Sequence, residues 1–128
     1  MESLSPNIFV NNMNETIEFY KKLGFEVAMS VANEGDLVWA MMTCGSVTMM
    51  FQTFQSLGEG LPDISRKDGG SLLLYIKLKN IRSFFERVKD QVTVLHGLEK
   101  TFYGATEFSI KDNNGYVLTF AEDEQEHH

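Results

Sequence analysis

The chain has 128 residues, a formal net charge of −7, 43% hydrophobic residues and a single cysteine. This length fits one domain or two small halves with a shared core, and the hydrophobic content is typical of a globular protein. An acidic balance disfavours non-specific binding to nucleic acid or anionic membranes, since both require a basic face. We therefore expect neither as a partner.

The lone Cys44 excludes an internal disulfide framework and fits a reducing compartment. The N-terminus lacks the cationic region and apolar run of a signal peptide. Together these features favour a cytoplasmic protein.

The first half of the chain reads as a strand, a helix and three further strands. A short apolar run predicts a strand over Pro6 to Val10. Asn12 is predicted to cap a helix that Gly24 ends, because Met13, Ile17 and Tyr20 recur between them at helical spacing. Apolar alternation then predicts strands over residues 25–32, 37–42 and 47–52.

The second half of the chain repeats this order after a predicted linker over 54–70, which is rich in Gly, Ser and charge. A strand over 72–78 precedes a helix that Asn80 is predicted to cap, and a strand over 92–98 follows it. Two alternating strands within 105–122 then flank an Asp-Asn-Asn-Gly turn, a strong hairpin signal. Residues 123–128 are predicted to be a disordered acidic tail, and His127 and His128 resemble a purification-tag remnant.

An internal repeat accounts for this order of elements. A shift of 68 positions aligns Ile8 and Asn12 with Ile76 and Asn80, and a shift of 70 aligns the turn glycines and the strands after them. The sequence therefore predicts two βαβββ modules, over about 5–53 and 71–122, within a single domain over 1–122. Neither module alone is large enough to bury a convincing core.

Two motifs carry a resemblance to a known family: VNNMNETIEFYKKLGFEV in the first module and YGATEFSIKDNNGYVLTFAE in the second. With the repeat between them, the chain resembles the vicinal oxygen chelate superfamily of glyoxalases, extradiol dioxygenases and bleomycin-resistance proteins. The resemblance implies an α+β fold in which two βαβββ modules form a curled mixed-sheet cavity. It also implies a homodimer.

Enzymes of that family hold a divalent metal at four equivalent strand positions, which the resemblance carries over to Ser5, Met49, Leu73 and Thr119. None of these is a His or a Glu, and a catalytic divalent site normally has at least three His, Asp or Glu ligands. His96 is the only histidine in the body of the chain. We therefore expect no metal and no other cofactor.

The predicted cavity face combines apolar and aromatic side chains with a few polar groups, a mixture typical of small-molecule pockets. The candidate ligand-binding residues are Asn7, Phe9, Trp39, Met49, Phe51, Tyr75, Tyr103, Glu107 and Thr119. The alternative is that the apolar members pack into the core or against a dimer partner, as most large apolar side chains do.

Glu107 is the candidate catalytic residue, because a carboxyl among apolar side chains is a candidate proton acceptor or ligand anchor. The alternative is a rim glutamate satisfied by Lys111 or solvent. Three functions stay open at this point. They are a metal-free protein that binds a hydrophobic or aromatic small molecule, a metal-independent enzyme in which Glu107 works with Tyr75 or Tyr103, and a metalloenzyme whose ligands the alignment misplaces.

Overall fold

The structure is a computed structural model that describes residues 1–61 and 70–124. The chain divides into two compact units, Met1–Lys67 and Asp68–His128, and each contains one four-stranded mixed sheet. The predicted α+β fold with two βαβββ modules is confirmed. Residues 62–69 of the predicted linker and residues 125–128 of the predicted tail, which include His127 and His128, lie outside the described residues.

The first unit carries strands β1 to β4 and two helices. Its sheet has the order β1-β4-β3-β2, with β1 parallel to β4 and the other neighbours antiparallel. The elements are β1 (Asn7–Val10), α1 (Met13–Leu23), β2 (Glu26–Asn33), β3 (Asp36–Cys44), β4 (Val47–Thr53) and α2 (Phe54–Leu57). The short helix α2 was not predicted.

The second unit repeats this topology. Its sheet has the order β5-β8-β7-β6, and β5 is parallel to β8. The elements are β5 (Leu73–Lys77), α3 (Ile81–Val88), β6 (Thr93–Lys100), β7 (Ala105–Lys111) and β8 (Val117–Asp123). Among the described residues, no helix is both long and apolar enough to cross a membrane.

Helix α1 begins and ends as predicted. The Asn12 side chain accepts a hydrogen bond from the Glu15 backbone N–H at 3.0 Å, which satisfies a donor that the helix itself leaves free. Gly24 ends the helix with a φ of +106°, and its N–H donates to the Lys21 carbonyl at 3.0 Å. A side chain at Gly24 would strain this left-handed backbone.

One face of each sheet packs against the helix of its own unit. In the first unit the rings of Tyr20 and Phe51 lie 4.7 Å apart and both side chains are fully buried. In the second unit Phe84 of α3 lies 4.9 Å from Phe120. Phe108 lies 5.2 Å from Phe120. These aromatic clusters form the two cores, since large rings bury the most apolar area.

The start of α3 differs from the prediction. Asn80 has a φ of +61°, and its side chain makes no capping hydrogen bond. The Glu122 carboxylate of β8 caps the helix instead, since it accepts from the backbone N–H of Asn80 at 3.1 Å and of Ile81 at 3.0 Å. A carboxylate at a helix N-terminus also interacts favourably with the helix dipole. The end of β8 is thereby tied to the start of α3.

Replacing Glu122 by Ala leaves these two N–H groups without their charged acceptor. We expect Glu122→Ala to lower the free energy of unfolding by about 1 to 3 kcal/mol, as measured by urea denaturation. The matched control is Asp123→Ala, which removes the same charge from the next residue but only an exposed ion pair with Lys77. Equal losses in the two variants would show that Glu122 acts only through its charge.

Candidate functional site

We call the side of each sheet that faces away from its own helix the distal face. In the second unit, one row of directly paired residues crosses all four strands on this face: His96, Ser109, Thr119 and Tyr75. The Ser109 and Thr119 hydroxyls lie 2.8 Å apart. The row is polar from edge to edge, whereas the opposite side of the same strands is the aromatic core.

Glu107 lies on the same distal face and receives two tyrosine hydroxyls. Tyr75 Oη and Tyr103 Oη each donate a hydrogen bond to Glu107 Oε2, at 2.5 Å. Tyr75 comes from β5 and Tyr103 from the loop before β7, so two separate elements position one carboxylate oxygen. Among the described residues, the other oxygen, Oε1, has no hydrogen-bond partner. The partners of Glu107 are thus tyrosines and not Lys111.

Both tyrosines are partly exposed to solvent, Tyr75 by 47% and Tyr103 by 51%. The hydrogen bond to Glu107 raises the pKa of Tyr75 above its usual value, and desolvation adds to the rise. The same bond raises the pKa of Tyr103. The two hydroxyls therefore stay protonated, as hydrogen-bond donors, beyond the usual pH range of tyrosine.

A groove of about 200 Å³ runs beside this cluster, between β6 and β7. Its lining includes His96, Glu99, Glu107 and Ser109. Glu99 is directly opposite Glu107 in the antiparallel pair, so its side chain lies on the same face. Sequence alternation missed Glu99, because β6 has two register shifts that change which residues face outward.

The distal face of the first unit is more apolar. Trp39 is opposite Gln52, and Gln52 accepts a hydrogen bond from the Asn7 side-chain amide at 3.0 Å. Phe9 belongs to the same face, and its ring lies 5.9 Å from that of Phe54 in α2. The predicted residues Asn7, Phe9 and Trp39 thus share one sheet face.

The prediction for β4 is wrong by one residue. Met49 is 1% exposed and Phe51 is fully buried, so both face α1 and neither lies on the distal face. Met50 and Gln52 lie there instead. Because Phe51 pairs with Ile8 as Phe120 pairs with Ile76, β4 and β8 correspond by a shift of 69 positions, not 70.

Different turn lengths cause this error. Two residues join β3 to β4, whereas five join β7 to β8. In the longer turn, the Asp112 carboxylate accepts from the backbone N–H of Asn114 and of Tyr116, both at 2.8 Å. Alignment of the turn glycines therefore displaces the strand that follows by one residue.

With β4 shifted by one residue, the family's metal positions still carry no suitable ligands. The position carried over to Met49 becomes Met50, and the other three positions remain Ser5, Leu73 and Thr119. A thioether, a hydroxyl and an alkyl side chain are poor ligands for a divalent ion of this class. In residues 1–61 and 70–124, no group of three or more His, Cys, Asp or Glu side chains is placed to hold a metal ion. These residues do not fit the family's metal.

The topology and both motifs match a known class of proteins. The family model of the Glyoxalase/Bleomycin resistance protein/Dioxygenase superfamily matches residues 4–120. The chain belongs to this superfamily, which confirms the resemblance read from the sequence. No curated protein sequence gives a significant match to the chain.

Solved structures share the fold over nearly the whole chain. A protein of unknown function from Agrobacterium tumefaciens str. C58 aligns with a TM-score of 0.75 and 22% identity, covering 95% of this chain and 94% of that one. TioX from Micromonospora sp. ML1 aligns with a TM-score of 0.76 and 13% identity, covering 96% and 99%. A bleomycin-binding protein in complex with bleomycin aligns with a TM-score of 0.69 and 20% identity, covering 97% and 100%. At these identities the likeness shows the fold alone.

The tyrosine cluster predicts an unusual alkaline titration. Of the four tyrosines in the chain, Tyr75 and Tyr103 should titrate above the usual value of about 10 as long as Glu107 is charged. Glu107→Gln should move both back toward that value, as measured by tyrosinate absorbance, with Tyr75→Phe and Tyr103→Phe to assign each signal.

The raised pKa values of Tyr75 and Tyr103 also predict how the stability of the fold depends on pH. Because the pKa values are raised by folding, the stabilisation from these bonds is fully present below about pH 10 and is lost as the pH rises through the raised values. An unchanged titration in Glu107→Gln would contradict the hydrogen-bonded cluster.

Proposed function

We propose that this protein binds a small organic molecule, without a metal ion, on the distal face of the second unit. One observation carries the proposal: two tyrosine hydroxyls converge on Oε2 of Glu107 while Oε1 has no partner among the described residues. Such an arrangement fixes a carboxylate in one orientation before a ligand arrives, which lowers the entropic cost of binding. Oε1 then accepts from an N–H or O–H group of the ligand.

The surroundings of Glu107 favour a ligand with a polar edge and an apolar or aromatic part. His96, Ser109 and Thr119 supply a line of hydrogen-bonding groups across the sheet. Tyr75 and Tyr103 present partly exposed rings next to them. Because a tyrosine ring is apolar and carries a hydroxyl group at its end, it can contact both the apolar part and the polar edge of such a ligand. The similarity to a bleomycin-binding protein supports the general class of function, a protein that binds a small molecule.

The alternative is a metal-independent enzyme in which Glu107 and a tyrosine exchange protons with a substrate. General acid–base catalysis is most efficient when the pKa of the group lies near the working pH. The hydrogen bonds to Glu107 raise the pKa values of Tyr75 and Tyr103 away from neutrality. The tyrosines are therefore better suited to orient Glu107 than to donate a proton.

Two further parts of the proposal stand on the sequence. The family resemblance supports a homodimer, and the single cysteine supports a cytoplasmic location. Trp39, Asn7 and Phe9 form a separate, more apolar candidate binding surface within the first unit.

A thermal-shift screen of the purified protein identifies ligands without any assumption about chemistry, because a molecule that binds the folded state raises the melting temperature. The library is run alone and with Ni, Zn, Mn or Fe(II). We expect shifts from organic compounds in the absence of metal. A response that requires one of these metals would contradict the proposal.

The best compound from the screen then tests whether the Glu107 carboxylate binds the ligand. Loss of a hydrogen bond to a charged group costs about 1.5 to 3 kcal/mol, so Glu107→Gln should weaken binding by about 10- to 100-fold in calorimetry. Glu99→Gln is the matched control, since it removes the same charge from the directly opposed residue, which no tyrosine holds.

Equal losses of affinity in Glu107→Gln and Glu99→Gln would mean that binding depends only on the total negative charge of the groove. Unchanged affinity of Glu107→Gln for the compound would show that this carboxylate does not take part in binding. If the compound is chemically converted by the wild type and Glu107→Gln abolishes turnover, the enzyme alternative replaces the binding protein.

A further inference from the structure

Three methionines form a transverse row on the distal face of the first unit. Met29 of β2 pairs directly with Met41 of β3, and Met41 pairs directly with Met50 of β4. Their side chains therefore lie side by side on adjacent strands. Met29 is 58% exposed, and Met41 and Met50 are half-buried. We call these three residues the methionine row.

A β-bulge creates the row. Val27 pairs with Met42, which is fully buried on the face toward α1, whereas Met29 pairs with Met41. The register shift between Val27 and Met29 thus moves Met29 to the distal face, where regular pairing would place Ala28. Bulges often re-aim a side chain next to a functional site. Here the bulge brings a third thioether beside two others.

The spacing allows the three sulfur atoms to approach one another. Directly opposed residues in an antiparallel sheet have Cβ atoms about 4.5 to 5.5 Å apart. Each methionine side chain is unbranched and has three rotatable bonds. Met29 and Met50 flank Met41 on opposite sides, so both thioethers can turn toward the sulfur between them.

Thioether sulfur is a soft ligand that selects soft metal ions such as Cu(I) over hard or borderline divalent ions. We propose that the methionine row is a binding site for a soft monovalent cation, Cu(I) or its analogue Ag(I). This site is distinct from the small-molecule site in the second unit, and it shares only Met50 with the family's metal positions. Its ligands are neutral, so binding requires no deprotonation and persists at mildly acidic pH.

Two other residues affect how metal binding to the methionine row can be measured. Trp39, the only tryptophan in the chain, is two residues before Met41 on the same strand and face, so its fluorescence reports on the row. Cys44 is a free thiol close to Gly24 at the end of α1: a Cβ atom added to Gly24 would lie 3.6 Å from the Cys44 sulfur. It lies on the opposite face and would bind soft metals on its own account, so the test uses a Cys44→Ser background.

The experiment is a titration of Cys44→Ser protein with silver nitrate in chloride-free buffer, followed by tryptophan fluorescence and calorimetry. We expect one Ag(I) per chain, with quenching of Trp39. Replacing Met29, Met41 and Met50 together by Leu keeps the apolar surface and should weaken Ag(I) binding by about tenfold or more. Circular dichroism and the melting temperature verify that the variant is folded.

Met49→Leu is the matched control, because Met49 is adjacent to Met50 but buried on the opposite face. It should bind Ag(I) as the Cys44→Ser protein does. Equal affinity in the triple variant, lost affinity in Met49→Leu, or no binding by Cys44→Ser itself would each overturn the proposal. Organic ligands identified by the thermal-shift screen should still bind the triple variant, which separates this site from the proposed function.

Discussion

The register of the parallel strand pairs is the constraint on which both units depend. Side chains alternate along a strand, so a slip of one residue exchanges the face toward the helix with the distal face. In the second unit, pairing of Ile76 with Phe120 directs Phe120 toward α3 and leaves Thr119 beside Tyr75 on the distal face. The aromatic core holds this register, because turning Phe108 and Phe120 outward would expose two large buried rings. The candidate site is thereby positioned by packing on the other side of its own sheet.

Much of the fold could be predicted from the sequence because its signals are local. The Asn12 cap, the Gly24 end of α1 and the turn between β7 and β8 each depend on a few neighbouring residues. The Glu122 cap of α3 could not be predicted, since it joins residues more than forty positions apart. The sequence places Asn80 at the start of that helix, but only the fold shows that its backbone is left-handed and that another strand supplies the cap.

The candidate site was predictable where the strands are regular and not where they are bulged. Alternation correctly placed Tyr75, Glu107 and Thr119 on one face, because β5, β7 and β8 pair without interruption. It misplaced Met49 and Phe51, since the two hairpin turns differ in length. It also missed Glu99 and Met29, which bulges in β6 and β2 bring to the distal faces. Extra residues of this kind are invisible to a pattern of period two.

The two units share a topology but differ in the chemistry of their distal faces. The same strand positions carry hydroxyls, an imidazole and a carboxylate in the second unit, and thioethers with an indole in the first. Neither set of residues fits the divalent site of the family's enzymes. The position of the Glu107 carboxylate between two tyrosines is instead the basis of the role that we propose for it, in holding a small molecule.

The most direct test of metal-independent binding is calorimetry of the best organic ligand with protein dialysed against EDTA, before and after addition of each divalent metal. If the Glu107 cluster holds the ligand, the affinity in EDTA equals that of the undialysed protein, and no metal changes it. Loss of binding in EDTA with recovery on addition of one divalent metal would contradict this account. The protein would then belong with the metalloenzymes of its superfamily.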